Sequence, residues 1–250
     1  MKAIRPAIYG RRGVLATGHC LATSAGLKMF AKGGNAVDAG VAAGFALAVL
    51  KPHQNGLGGE CPILIYNPKD GRVIAISGQG TAPRNATIEW FRNRGISMIP
   101  GDGFLGATVP GLVGSYLTAL LKFGKLSLCD VLEPALELAE YGFPVYQALH
   151  NTLTSLRDKF VNEWPTSAEV YTPGGRIPKV GEILKQPGIA RTFRLMIEAE
   201  KSCNGDREMG IRSAMDCFYR GEIADKILEF CQNNSFKDAS GKSHTALLTK

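Results

Sequence analysis

The stretch from Ala36 to Leu50, AVDAGVAAGFALAVL, is apolar on every face of a helix. A helix of that kind is buried, so whatever this chain folds into must wrap it from all sides. Its ends are written into the neighbouring residues. Gly33-Gly34 stops a preceding helix over 21–32, which sets Leu21, Ala25 and Met29 on one face. Asn35 is a natural N-cap, and Asp38, three residues on, completes a capping box. Pro52 ends the helix. The small-apolar run Ala39 to Leu50 falls well short of the roughly 20 residues a bilayer requires, so this is a core helix and not a membrane span. Its Ala and Gly side chains let a sheet or a second helix pack close.

A glycine loop follows, Asn55-Gly56-Leu57-Gly58-Gly59-Glu60, and then two apolar runs, Pro62 to Tyr66 and Arg72 to Ser77. The turn Pro68-Lys69-Asp70-Gly71 between them predicts a hairpin. Two strands alone are marginally stable, so the hairpin is expected to join a sheet whose other strands lie outside this chain. Gly78-Gln79-Gly80-Thr81-Ala82-Pro83 reads as a loop, and 84–105 as irregular with a short helix near Ile88 to Asn93. Helices are predicted from Pro110-Gly111 to about Phe123 and from the Ser127–Asp130 capping box to about Tyr141. Others cover 146–160, Pro187 to Glu200 and Phe218 to Gln232. Residues 163–180 read as loop, and 233–250 carry no clear element. The class is α+β, one unit of 250 residues with a sheet-contributing part over 1–110 and a mainly helical part over 111–250.

Several functions are disfavoured. A net charge of +7 suits nucleic acid in principle, but the Lys and Arg residues are scattered and do not alternate with aromatic ones. A basic face matched to an acidic partner explains the charge better. The Gly56–Gly59 loop lies between a helix and a strand, whereas a dinucleotide fingerprint needs strand, loop, then helix. Cys20, Cys61, Cys129, Cys203, Cys217 and Cys231 show no CxxC spacing, and the four His do not cluster with them, so no metal or other cofactor is expected. The cysteines read as buried free thiols of a cytoplasmic protein, reduced and dispensable for chemistry. His19, His53, His150 and His244 have no serine or cysteine partner in a nucleophile motif. Cys20 beside His19 would point to the opposite face of a strand.

The order of motifs says more. Gly33-Gly34-Asn35-Ala36-Val37-Asp38-Ala39 resembles the GGNAVDA signature of the γ-glutamyltranspeptidase family. Lys51 to Gly59 is similar to its EPHSSGLGG stretch, and Thr108-Val109-Pro110-Gly111-Leu112 to its GVPG. Glu133-Pro134-Ala135 through Gly142-Phe143-Pro144-Val145 resembles PAIxLAxxGFxV. Gly181 to Pro187 and Phe218 to Ala224 are two further landmarks, all in family order.

The resemblance implies a precursor that cleaves itself into a large and a small subunit, the latter opening on a Thr nucleophile. The implied fold is a four-layer αββα sandwich of the N-terminal-nucleophile type. A Thr hydroxyl can use its own α-amine as base, because that amine titrates near pH 8. This chain contains no Thr-Thr-His cleavage motif, and its end resembles a point well inside the large subunit. It reads as a fragment, a separately encoded subunit or a processed chain, inactive alone, with no catalytic residue of its own. The partner expected is a small catalytic subunit with an N-terminal Thr, in a heterodimer or heterotetramer, with no nucleic acid and no membrane. In transpeptidases an Arg-Glu pair precedes the Ala-Pro landmark, and the Arg grips the α-carboxylate of the glutamyl group. Gln79 and Gly80 stand there, followed by Thr81-Ala82-Pro83. Gln79, Gly80 and Thr81 are the expected substrate-binding residues. Gln does not replace a bidentate guanidinium, which favours acylase-like and oxamate-amidohydrolase-like relatives and a small amide substrate. The alternative is an interaction subunit without a catalytic role.

Overall fold

The computed structural model describes residues 6–250. Helix α1 (Cys20–Ala31) leads into α2 (Ala36–Leu50), the apolar helix, which packs against α1, α4 (Leu112–Phe123) and α5 (Leu128–Tyr141). Behind α5 lies α9 (Pro187–Lys201), and α10 (Arg207–Tyr219) covers both α9 and α4. Phe45 of α2 meets Tyr116 and Phe193 edge-on, at ring-centre distances of 4.9 and 5.8 Å. These rings join the two helical tiers into one core.

The signature Gly33 to Ala39 builds that core's main corner. The capping box forms as expected: Asn35 Oδ1 accepts from Val37 N at 2.8 Å, and Asp38 Oδ2 accepts from Asn35 N at 2.7 Å. The same two side chains then reach 87 and 88 residues away in sequence. Asn35 Nδ2 donates to Phe123 O at 2.7 Å, and Asp38 Oδ1 accepts from Lys125 N and Leu126 N at 2.9 and 3.0 Å. Asp38 is wholly buried. The carboxylate therefore holds the turn between α4 and α5 against the start of α2. Gly124 is needed beside it, because a β-carbon there would lie 2.7 Å from Asp38 Oδ1. At the other end of α2, Gln186 Nε2 donates to Val49 O at 2.6 Å and the Tyr146 hydroxyl to Leu50 O at 3.2 Å. These satisfy carbonyls that a helix end leaves open.

Other helix ends are closed from a distance too. Glu200, buried on α9, accepts from Leu128 N at 2.6 Å and Cys129 N at 2.7 Å, placing a carboxylate on the N-terminus of α5. Arg207 donates to Leu120 O at 2.6 Å and Leu126 O at 2.7 Å.

The expected hairpin is β1 (Ile63–Asn67) with β2 (Arg72–Ile76), antiparallel, Ile63 opposite Ile76 and Asn67 opposite Arg72. Ile63, Ile65 and Ile76 pack on the core. Leu64, Tyr66 and Val73 on the other face are 76%, 64% and 63% exposed. Among the described residues each strand has only the other for a partner. An open cleft of about 1210 Å³ separates the hairpin from α2, lined by Val41, Gly44, Leu47, Ile63, Ile65 and Tyr116 among others. Short α3 (Ile88–Arg92) lies where the sequence places it.

Five expectations are corrected. Residues 163–180 are not all loop: after α6 (Gln147–Ser155) and α7 (Arg157–Asn162), α8 runs Pro165–Tyr171. Pro165 starts that helix at the first position, where a missing N–H costs nothing. The helix expected from Phe218 to Gln232 is split. Tyr219 ends α10, its hydroxyl donating to Pro110 O at 2.7 Å, and α11 spans Glu222–Asn233 after a break at Arg220 and Gly221. The tail contains β5 (Phe236–Lys237) and β6 (Ser243–His244), and Phe143–Pro144 (β3) pairs with Ile183–Leu184 (β4). In the tail the organiser is polar, so no apolar period announces it: buried Asp238 accepts from Ser240 N at 2.9 Å and faces His244 Nδ1 at 2.6 Å. The six cysteines are free as expected, but Cys20 is exposed and only Cys231 is buried; the others are intermediate. His19 lies in no strand. It caps α1, with Cys20 as the first helical residue.

Candidate functional site

Gln79, Gly80 and Thr81 follow β2 after Ser77 and Gly78 and are gathered with two other glycine-containing segments. Gly111 N and Leu112 N both donate to Gly59 O, at 3.0 and 2.9 Å. Val109 N donates to Thr81 O at 3.0 Å, and Cys61 N to Gly78 O at 3.0 Å. The Gly56–Gly59 loop, the Gln79 loop and the Thr108–Gly111 turn are thus laced together through backbone. The glycines are there because nothing larger fits. A β-carbon on Gly80 would lie 2.0 Å from Val109 O, and one on Gly111 would lie 2.4 Å from Gly78 O. Gly78 has φ +59°, and a β-carbon there would sit 1.9 Å from Cys61 O and 2.1 Å from Ser115 Oγ. Gly78→Ala is therefore expected to destabilise the protein by at least about 2 kcal/mol, from left-handed strain plus overpacking against backbone. Urea unfolding of the variant measures it, and a loss under 1 kcal/mol would mean the loop yields freely.

On this fixed frame the side chains of Gln79 and Thr81 are exposed, and the Gln79 amide makes no hydrogen bond among the described residues. Beneath the loop lie groups that the sequence did not flag. Ser115 Oγ is buried without a partner among the described residues. The Cys61 thiol lies near the Tyr116 phenol; burial raises the pKa of both, and the neighbouring Cys61 raises that of Tyr116 further. Cys61 is a neutral packed thiol, not a thiolate nucleophile. Only the helical periodicity of α4 could have placed Tyr116 inward. Nothing local marks Ser115.

The histidines do not assemble a triad. His150 Nδ1 lies 2.9 Å from Pro178 O, His244 is bound to Asp238, and His19 and His53 lie beside Tyr146. Among the described residues no three His, Cys, Asp or Glu side chains come together as a metal site, and no helix is long and apolar enough to cross a membrane.

The family model described as Gamma-glutamyltranspeptidase matches residues 22–243. The chain belongs to the gamma-glutamyltranspeptidase family. It is 35% identical over 230 residues to the Glutathione hydrolase-like YwrD proenzyme of Bacillus subtilis (strain 168), covering 91% of this chain and 40% of that protein. With the Oxamate amidohydrolase proenzyme of Klebsiella pneumoniae it shares 33% identity over 224 residues, 87% of this chain and 39% of the relative. The solved structure of LmbA2991HD superposes with a TM-score of 0.93 at 36% identity, covering 100% of this chain and 42% of that one. The chain thus spans about two fifths of the length of the curated relatives it matches. Its fold is part of the gamma-glutamyltranspeptidase family's four-layer αββα sandwich, contributing helices and a strand pair. Within that family fold, GGNAVDA acts in this chain as a structural staple: its Asn and Asp are consumed by backbone bonds.

Proposed function

We propose that this chain is the large, non-nucleophilic part of an amide hydrolase whose N-terminal Thr nucleophile lies on a small partner subunit, in a heterodimer or heterotetramer. The 1–110 part contributes to the shared sheets, and 111–250 is the helical support. Gln79, Gly80 and Thr81 meet the substrate, a small amide. The observation that carries this reading is the exposed, unengaged Gln79 amide on a backbone-locked loop, at the place where a transpeptidase has its carboxylate-gripping Arg. A primary amide offers a donor and an acceptor without charge, which suits a dicarbonyl or neutral acyl group better than a free amino acid. The cysteines take no part in the chemistry, and their free state suits a reducing, cytoplasmic setting.

Gln79→Ala is expected to lower kcat/KM for a small acyl amide by about 2- to 10-fold, the effect of one lost neutral hydrogen bond, roughly 0.5–1.5 kcal/mol. Stability should stay unchanged, because the side chain holds nothing in place. Steady-state kinetics on the assembled enzyme tests this. A variant with unaltered kinetics on every amide would remove Gln79 from the site. If the assembly hydrolyses no amide at all, the interaction-subunit reading takes its place.

A further inference from the structure

Two histidines and a lysine meet where the start of α1 adjoins the end of α2. His19 Nδ1 accepts from Leu21 N at 3.2 Å. That bond needs an unprotonated Nδ1, so in the neutral ring the proton sits on Nε2, as a donor. The Tyr146 ring lies against both imidazoles, 5.0 Å from His19 and 6.2 Å from His53. It is anchored by its hydroxyl on Leu50 O. His53 Nδ1 is buried and has no partner among the described residues. Lys51 follows α2 directly, and its Nζ comes within 3.2 Å of where a β-carbon on Gly18 would lie.

These three basic side chains are half-buried, and among the described residues none of them pairs with a carboxylate. The first turn of α1 contains no acid. Burial, and after it Lys51, holds both imidazoles below the usual histidine range, and no carboxylate acts on either. The other titratable neighbours are the Tyr146 phenol and the Cys20 thiol, the latter 4.0 Å from His19 Nδ1. Half-buried cationic groups without a counter-ion are costly, and an anion between them relieves that cost.

We propose that Lys51, His19 and His53 form a binding site for an oxyanion, a carboxylate or phosphate group held by the Lys51 ammonium and by imidazole N–H donors. The oxyanion is either a free small anion or a carboxylate that the partner subunit presents. The proposal does not depend on which amide the enzyme cleaves.

The test is histidine titration by NMR on the assembled enzyme, in inorganic phosphate and in chloride at equal ionic strength. His19→Asn, which preserves the cap, and His53→Gln assign the signals. A free-anion site predicts midpoints below about 6.5 in chloride that rise above it in phosphate. This response should vanish in Lys51→Gln and return in Lys51→Arg. A partner carboxylate predicts midpoints above about 6.5 in both salts, insensitive to phosphate. Midpoints below that value in both salts alike, or a phosphate response that survives Lys51→Gln, would overturn the site.

Discussion

Asp38→Ala is expected to destabilise the protein by about 3 kcal/mol. The substitution orphans the N–H groups of Asn35, Lys125 and Leu126 together, at roughly 1 kcal/mol each. That per-bond figure lies below the usual range for charged acceptors, because the turn at 125–126 is partly exposed and water can replace some of what is lost. The shape-matched Asp38→Asn keeps one acceptor oxygen but turns an amide N–H toward other N–H donors, so it should recover only part of the loss. Urea unfolding of the assembled protein measures both, with the slope checked for constancy. An Asp38→Ala loss under 1 kcal/mol would show that the α4–α5 turn is held by packing alone. Turnover per folded molecule should be little changed, since the carboxylate is buried and bonded inside the scaffold.

The isolated chain is expected to self-associate or aggregate instead of running as a well-behaved monomer. Leu64, Tyr66 and Val73 project from a hairpin with no third strand among the described residues, beside an open cleft of about 1210 Å³ along α2. Unpaired strand edges beside exposed apolar side chains template further pairing. Light scattering with thermal denaturation tests this. A monodisperse monomer with one sharp melt would contradict it, whereas co-expression with the segment that completes the sheet should convert the aggregate to a soluble complex.

The features legible in the sequence are those whose causes are local. Asn35, Asp38 and the apolar run to Leu50 announce α2 with its boundaries, and Pro68 to Gly71 announces the hairpin turn, because cap and turn chemistry act over a few residues. The loop that carries Gln79, Gly78 to Pro83, is legible from its composition. What escaped acts over long separations. Glu200 on the N-terminus of α5, Arg207 on the end of α4 and Gln186 on the end of α2 are ordinary polar residues on helices or in a loop until the fold brings them to their partners. The same is true of Ser115 beneath Gly78 and of the Lys51 cluster. Only half the role of Asp38 was legible: the cap is local, but its hold on Lys125 and Leu126 is not. The break at Gly221 was missed because apolar spacing continues across it from Phe218 to Ile223.

The most direct measurement of the central claim is turnover by this chain alone and by its assembly with a Thr-led partner. Substrates would be a small dicarbonyl amide such as oxamate and a γ-glutamyl anilide with a dipeptide acceptor. The account predicts no turnover by the chain alone, and an assembly that hydrolyses the small amide in preference to the γ-glutamyl compound. Hydrolysis by the chain alone, or efficient γ-glutamyl transfer by the assembly, would contradict it.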